Sequence, residues 1–237
     1  MKKTNKFLIS PLLIMGAFLI LASGCTKVED TFNPASTVKD IDGNVYTTVT
    51  IGTQVWMVEN LKTTKYRNGE SIANETDTTA WKDLKSGAYC WYNNDVKNKA
   101  TYGAIYNGYS VLDDRYLAPK GWHIPTKTEL TTLTNYLGGL SIAAGKMKES
   151  GTTHWSTPNT GATNSSGFKA LPGGYSENLG YSTSGINEYG TWWSSTTLLR
   201  IGYYDCAWFI ELDYSSANVR LDNSPYNFGS SVRCIKD

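Results

Sequence analysis

The sequence predicts an α+β fold, one domain of short strands and turns around a single firm helix. Three observations predict it. Glycine is abundant, 22 residues against seven prolines. β-Branched and aromatic runs are short and closed by turn residues. One segment carries a complete helix-start signal, and strands return after it. The chain has 237 residues, 40% apolar and 13% aromatic, enough to bury a sizeable core and too apolar for bulk disorder.

Asp42-Gly43-Asn44 is a turn signal ahead of the β-branched run Val45 to Ile51. Gly52-Thr53 separates that run from Val55-Trp56-Met57-Val58, so a hairpin is expected. The stretch Tyr66 to Lys85 is polar and unpatterned and reads as a long loop. Ala88 to Tyr92 reads as a buried strand ending at Asn93-Asn94-Asp95. Thr126 and Glu129 form a T-x-x-E capping box, in which hydroxyl and carboxylate satisfy reciprocal backbone N–H groups. Leu130, Leu133 and Leu137 then share one face, and Gly138-Gly139 stops the helix, giving a span of about 126–137. The Gly/Asn/Thr-rich stretch 145–174 is a connection. The C-terminal third reads as a meander through Thr191–Ser194, Ala207–Leu212, Ala217–Leu221 and Ser231–Ile235. There is no fixed-period repeat and no sign of a second domain.

Residues 1–24 are set apart from the fold. Lys2, Lys3 and Lys6 precede an apolar run from Phe7 to Ala22, shorter than a bilayer span and carrying Pro11. This is the pattern of a signal peptide. It ends Leu21-Ala22-Ser23-Gly24-Cys25, which resembles a bacterial lipobox, so Cys25 is the expected site of lipidation by palmitate-type acyl chains. Residues 25–37 then serve as a lipidated tether and 38–237 as the folded domain. Glu29 and Asp30, close behind Cys25, point to an outer-membrane lipoprotein facing the cell exterior.

Charge is nearly balanced, 22 Lys+Arg against 21 Asp+Glu, so no basic footprint exists for a nucleic-acid partner. His123 and His154 are too few and too separated for a histidine-rich metal site. No nucleophile elbow, metalloprotease motif or phosphate-cradling loop occurs, and no enzymatic activity or cofactor is expected. Glu177, Glu188 and Glu211 could in principle form an acid/base pair but read as solvated carboxylates. The aromatic residues hold more interest. Tyr175, Tyr181, Tyr189 and Tyr203 crowd a Gly/Ser-rich region and are the candidate ligand-binding residues, since exposed tyrosines beside polar side chains can stack on sugar rings. Trp192, Trp193 and Trp208 read as core.

Several segments together resemble the Fibrobacter succinogenes major paralogous domain. They include Trp56-Met57-Val58-Glu59-Asn60-Leu61, Tyr102-Gly103-Ala104-Ile105-Tyr106-Asn107 and Pro119-Lys120-Gly121-Trp122-His123-Ile124-Pro125-Thr126. Phe168-Lys169-Ala170-Leu171-Pro172-Gly173-Gly174-Tyr175, Trp192-Trp193-Ser194-Ser195 and Ser231-Val232-Arg233-Cys234 continue the series in family order. The resemblance implies a C-type-lectin-like fold, distantly similar to the formylglycine-generating sulfatase modifiers. It also implies a fold more firmly than a function.

Many members of that family carry a cysteine where this chain has Ala118, with the terminal Arg-Cys as its expected partner. Cys234 is therefore expected to pair with Cys90, or with Cys206 as the second choice, in an oxidising compartment. A sugar-binding C-type lectin would hold calcium through Glu-Pro-Asn and Trp-Asn-Asp sequences. This chain has Thr157-Pro158-Asn159 and Trp91-Tyr92-Asn93-Asn94-Asp95 instead, so no metal site is assigned. The expected function is a surface-displayed, non-catalytic binding or adhesion module for a polysaccharide or a protein. A structural envelope component binding another lipoprotein is the alternative. A sulfatase-modifier-like enzyme would need two close thiols in a cleft with a metal.

Overall fold

The computed structural model describes residues 1, 36–177, 183–199 and 205–237. Cys25, the signal segment, all but the end of the tether, Tyr181 and Tyr203 lie outside the described residues. The fold occupies the compact unit Pro34–Asp237.

The chain opens with strands β1 (Thr37–Lys39), β2 (Val45–Ile51), β3 (Gln54–Met57) and β4 (Ala73–Asn74). Helix α1 (Thr78–Asp83), β5 (Ala88–Cys90), a 3-10 turn at Tyr92–Asn94 and α2 (Asn98–Tyr102) follow. Next come β6 (Ile105–Asn107), α3 (Gly108–Val111), β7 (Trp122–His123), α4 (Lys127–Tyr136) and α5 (Ala143–Met147). The rest is strand: β8 (Gly173–Ser176), β9 (Thr183–Ile186), β10 (Tyr189–Leu198) and β11 (Cys206–Asp213), then β12 (Val219–Pro225), β13 (Gly229–Ser230) and β14 (Ile235–Lys236). Strands dominate and the helices are short, an α+β fold.

Two sheets form. One has the order β1-β2-β3-β14-β7, so the C-terminal strand lies inside the sheet that the N-terminal hairpin begins. The other runs β12-β11-β10-β8-β13-β6-β5-β4, with β9 on β8. The expected first hairpin is present, with Thr48 opposite Met57 and Ile51 opposite Gln54. Its turn needs glycine: Gly52 sits at φ +63°, and a Cβ there would meet the Tyr136 ring at 2.9 Å. Helix α4 matches its sequence signal. The Thr126 hydroxyl accepts from the Glu129 N–H at 3.2 Å, and the Glu129 carboxylate accepts from the Thr126 N–H at 2.8 Å.

Three readings need correction. The polar stretch 66–85 contains α1, capped by Asp77 and pinned by Trp81, whose indole N–H donates to the Asn227 carbonyl at 2.7 Å. A one-turn helix has no periodicity to read. The strand expected over Ser231–Ile235 is largely absent: Ser231 forms only an isolated bridge to Trp192, and Val232 to Cys234 cross from β13 in one sheet to β14 in the other. The Cys90–Cys234 disulfide is not formed. Cys90 lies on β5 in a small cluster with Trp81 and Ile105, whereas Cys234 lies beside β14 with Met57 and Val232, in another cluster of the core. Ala118 shares the Cys234 cluster.

Strand β10 divides the interior. Its successive residues point to opposite faces, so Trp193 (0% exposed) enters one large cluster with Tyr106 and Phe209. Trp192 (1% exposed) enters the other, with Trp56, Phe168 and Leu212.

Candidate functional site

The sequence motifs converge on a buried polar hub. The Asn60 side-chain oxygen accepts from the Trp192 indole N–H at 2.8 Å and from Arg233 Nη2 and Nε at 2.7 and 3.2 Å. The Asn60 amide donates to the Tyr102 carbonyl at 2.8 Å. Arg233 Nη1 donates to the Phe168 carbonyl, and the guanidinium lies 4.2 Å from the Phe168 ring centre. Arg233 is 2% exposed, and its desolvation lowers its pKa to about 9 although Glu59 nearby acts the other way. Trp193 completes the frame by donating to the Tyr106 carbonyl at 2.8 Å. Each polar atom of this hub meets a complementary one, as burial demands. Asn60 and Arg233 had been read as family signature only; their job is to tie β10, the approach to β14 and the loop after β3 into one frame.

A second arrangement faces outward. Tyr175 on β8 and Tyr189 on β10, two of the four candidate tyrosines, come together with ring centres 6.1 Å apart, edge to face. Both are half-buried. Tyr175 stacks on Phe228 at 5.5 Å, and Phe228 meets Trp193 at 5.6 Å and Phe209 at 5.3 Å. The pair is thus the outer end of an aromatic chain rooted in the core. Tyr189 pairs with Asp213 and Thr191 with Glu211 across β10 and β11, and Glu211 pairs with Arg220 on β12.

Carboxylates surround the tyrosines. Burial raises the Glu211 pKa despite its 3.3 Å contact with Arg220. Burial also raises the Tyr175 phenol, with Glu177, Glu211 and Glu188 adding to the rise and a hydrogen bond to Ser184 opposing it. The Tyr189 phenol is raised by burial and by Asp213, Glu211 and Glu188. Glu177, Glu188 and Glu211 thus all act on the Tyr175 phenol through their charge, and Glu211 is mostly buried and paired rather than solvated. The face offers ring surface, phenol donors and carboxylate acceptors. Trp208, read as core, is partly exposed with Lys127 Nζ 3.2 Å over its ring.

The remaining candidates have local roles. His123 is held between Asp237 (2.7 Å) and Glu129 (2.9 Å). Burial alone would lower its pKa, but these two hydrogen bonds raise it. His154 contacts Glu149 at 2.6 Å. Asp95 is exposed and accepts from the Lys97 N–H, and the Asn159 amide is committed to the carbonyls of Glu149 and Gly151. Among the described residues no group of three or more His, Cys, Asp and Glu side chains converges to hold a metal. Burial pushes the Cys90 thiol up to about 12 and that of Cys234 higher still, so neither has thiolate character at neutral pH.

The Fibrobacter succinogenes major domain matches residues 49–236, which include the hub, the tyrosine face and every strand from β3 onward. Comparison with curated proteins and with solved structures gave no match. With most of its length matched, from the middle of β2 to β14, the chain belongs to the Fibrobacter succinogenes major domain family.

Proposed function

We propose that this protein is a non-catalytic binding or adhesion module of C-type-lectin-like fold, lipid-anchored through Cys25 at the outer membrane and facing the cell exterior. Its ligand is a polysaccharide or a protein, and nucleic acid is not a partner. The observation that carries the reading is the Tyr175–Tyr189 pair, half-exposed, rooted on Phe228 and bordered by Glu211. Rings held in this way present an apolar surface whose shape is fixed before binding, so little side-chain entropy is lost when a sugar ring stacks on it. Carboxylates beside them accept hydroxyl hydrogens. Tyr181 and Tyr203 are assigned to the same ligand. The shared sheet of the N- and C-terminal strands supports the fold reading.

The test is a glycan array probed with residues 31–237, with and without calcium, followed by Tyr175→Ala and Tyr189→Ala. Selective binding that both changes abolish is the expected result. Binding that survives both would overturn the assignment of this face. Intact-protein mass measurement with and without Cys25→Ser tests the anchor separately, the expected difference being the mass of the acyl chains.

A further inference from the structure

Ser176, next to Tyr175 on β8, points to the other side of that strand. There a cavity of about 260 Å³ opens between the start of α1 and the Tyr92–Asn94 turn. Its floor is the smallest core cluster, with Trp81 and Cys90 each 3% exposed. Ser176 lines the cavity, is 4% exposed, and its hydroxyl has no hydrogen-bond partner among the described residues. A hydroxyl that opens onto a cavity and is not bonded within the protein is available to a ligand.

The rim is rich in acceptors, with the Thr76 and Thr78 hydroxyls and the Asn93 amide as its donors. Glu75 commits Oε1 to the Asp77 N–H at 2.8 Å, which leaves Oε2 open. Asp77 commits Oδ1 to the N–H groups of Thr79 and Ala80 at 2.7 and 3.3 Å, which leaves Oδ2. Asn94 donates its amide to the Thr76 carbonyl at 2.9 Å, so its oxygen is the group still available. Asn93 and Thr183 satisfy each other and form wall. No Lys, Arg or His is among the described residues that line the cavity.

Two carboxylate oxygens, an amide oxygen and the hydroxyls of Ser176, Thr76 and Thr78, without a cation, select a ligand that brings donors and positive charge. The volume admits one ring-sized unit, below the usual range for drug-sized ligands. A metal ion fits poorly, since no third charged or imidazole ligand converges with Glu75 and Asp77. A lysine side chain would find apolar surface only at the Trp81 and Cys90 floor, whereas the walls of Ser, Thr, Asn and carboxylate suit a hydroxylated frame. We propose that this cavity binds a protonated amine on a compact hydroxylated frame, namely an amino-sugar unit with a free amino group. The site is separate from the aromatic face and does not rest on it.

The experiment titrates glucosamine, glucose, N-acetylglucosamine and an acetylated lysine methylamide against the full chain in detergent, read by saturation-transfer NMR. Glucosamine is expected to bind about tenfold or more tightly than glucose or N-acetylglucosamine, the worth of one charge-assisted hydrogen bond. Glu75→Gln keeps the acceptor that the Asp77 N–H uses and removes the charge, and it is expected to cancel that preference at unchanged Tm. Ser176→Ala is expected to weaken glucosamine binding severalfold. Equal binding of glucose and glucosamine, or full retention in Glu75→Gln, would overturn the proposal. So would preference for the lysine analogue, which would hand the cavity to a protein chain.

Discussion

The Asn60–Arg233 hub and the Tyr175–Tyr189 face share strand β10, through Trp192 and Tyr189, and follow opposite rules. In the hub each buried nitrogen and oxygen has a partner and almost nothing reaches solvent; Arg233, Trp192 and Trp193 are each at most 2% exposed. On the face, two rings and several carboxylates stay half-open, and Arg220 is 62% exposed at its side chain. A closed network fixes shape, whereas an open one leaves valences for something else. The most recognisable sequence in this chain encodes shape.

The sharpest way to break the comparison is inside the hub. Arg233→Ala would take two of the three donors from the Asn60 oxygen, leave the Phe168 carbonyl without its donor and open a cavity between Phe168 and Trp192. A loss of about 3–5 kcal/mol is expected in urea unfolding, enough to leave little folded protein. Trp193→Phe removes one indole hydrogen bond and part of a core ring, for an expected loss of about 1–3 kcal/mol by the same assay. Thr126→Ala, which dismantles the capping box of α4, is expected to cost about 1 kcal/mol. Tyr189→Ala sits at the other extreme, with an expected change of about 1 kcal/mol or less in stability and loss of ligand on the array. A large stability loss in that variant would erase the distinction between hub and face.

His123 supplies the smallest effect, and its sign follows from its partners. Its folded pKa is raised above the usual value of about 6.5, because Asp237 and Glu129 favour the protonated ring. The stabilisation is therefore fully present below that unfolded pKa and is lost as pH rises through the raised folded value. Thermal melts should show Tm falling across that window, and His123→Gln should flatten the dependence. A wild-type Tm that rises over the same window would contradict the assignment.

Much of the frame was legible in the sequence. The β2–β3 hairpin carries alternation and a glycine turn, and α4 carries a full capping box, each a local signal. The hub was visible only as conserved-looking words, because Asn60 and Arg233 are 173 residues apart and their contact depends on tertiary structure. The cysteine pairing failed for the same reason: nothing local tells Cys90 and Cys234 that they will enter different clusters. Tyr175 and Tyr189 were singled out as a crowded region, and the structure brings these two together. Glu211 was misread as solvated, since its burial depends on β10 and β12 flanking it.

The placement of β14 has a temporal consequence. Ile235 hydrogen-bonds between β3 and β7, opposite Trp56 and His123. The first sheet that the chain begins is therefore the last that it can finish, and a nascent chain lacking its final three residues holds an open edge at β3. Neither the β2–β3 hairpin nor β7 can join the other until Ile235 has entered between them.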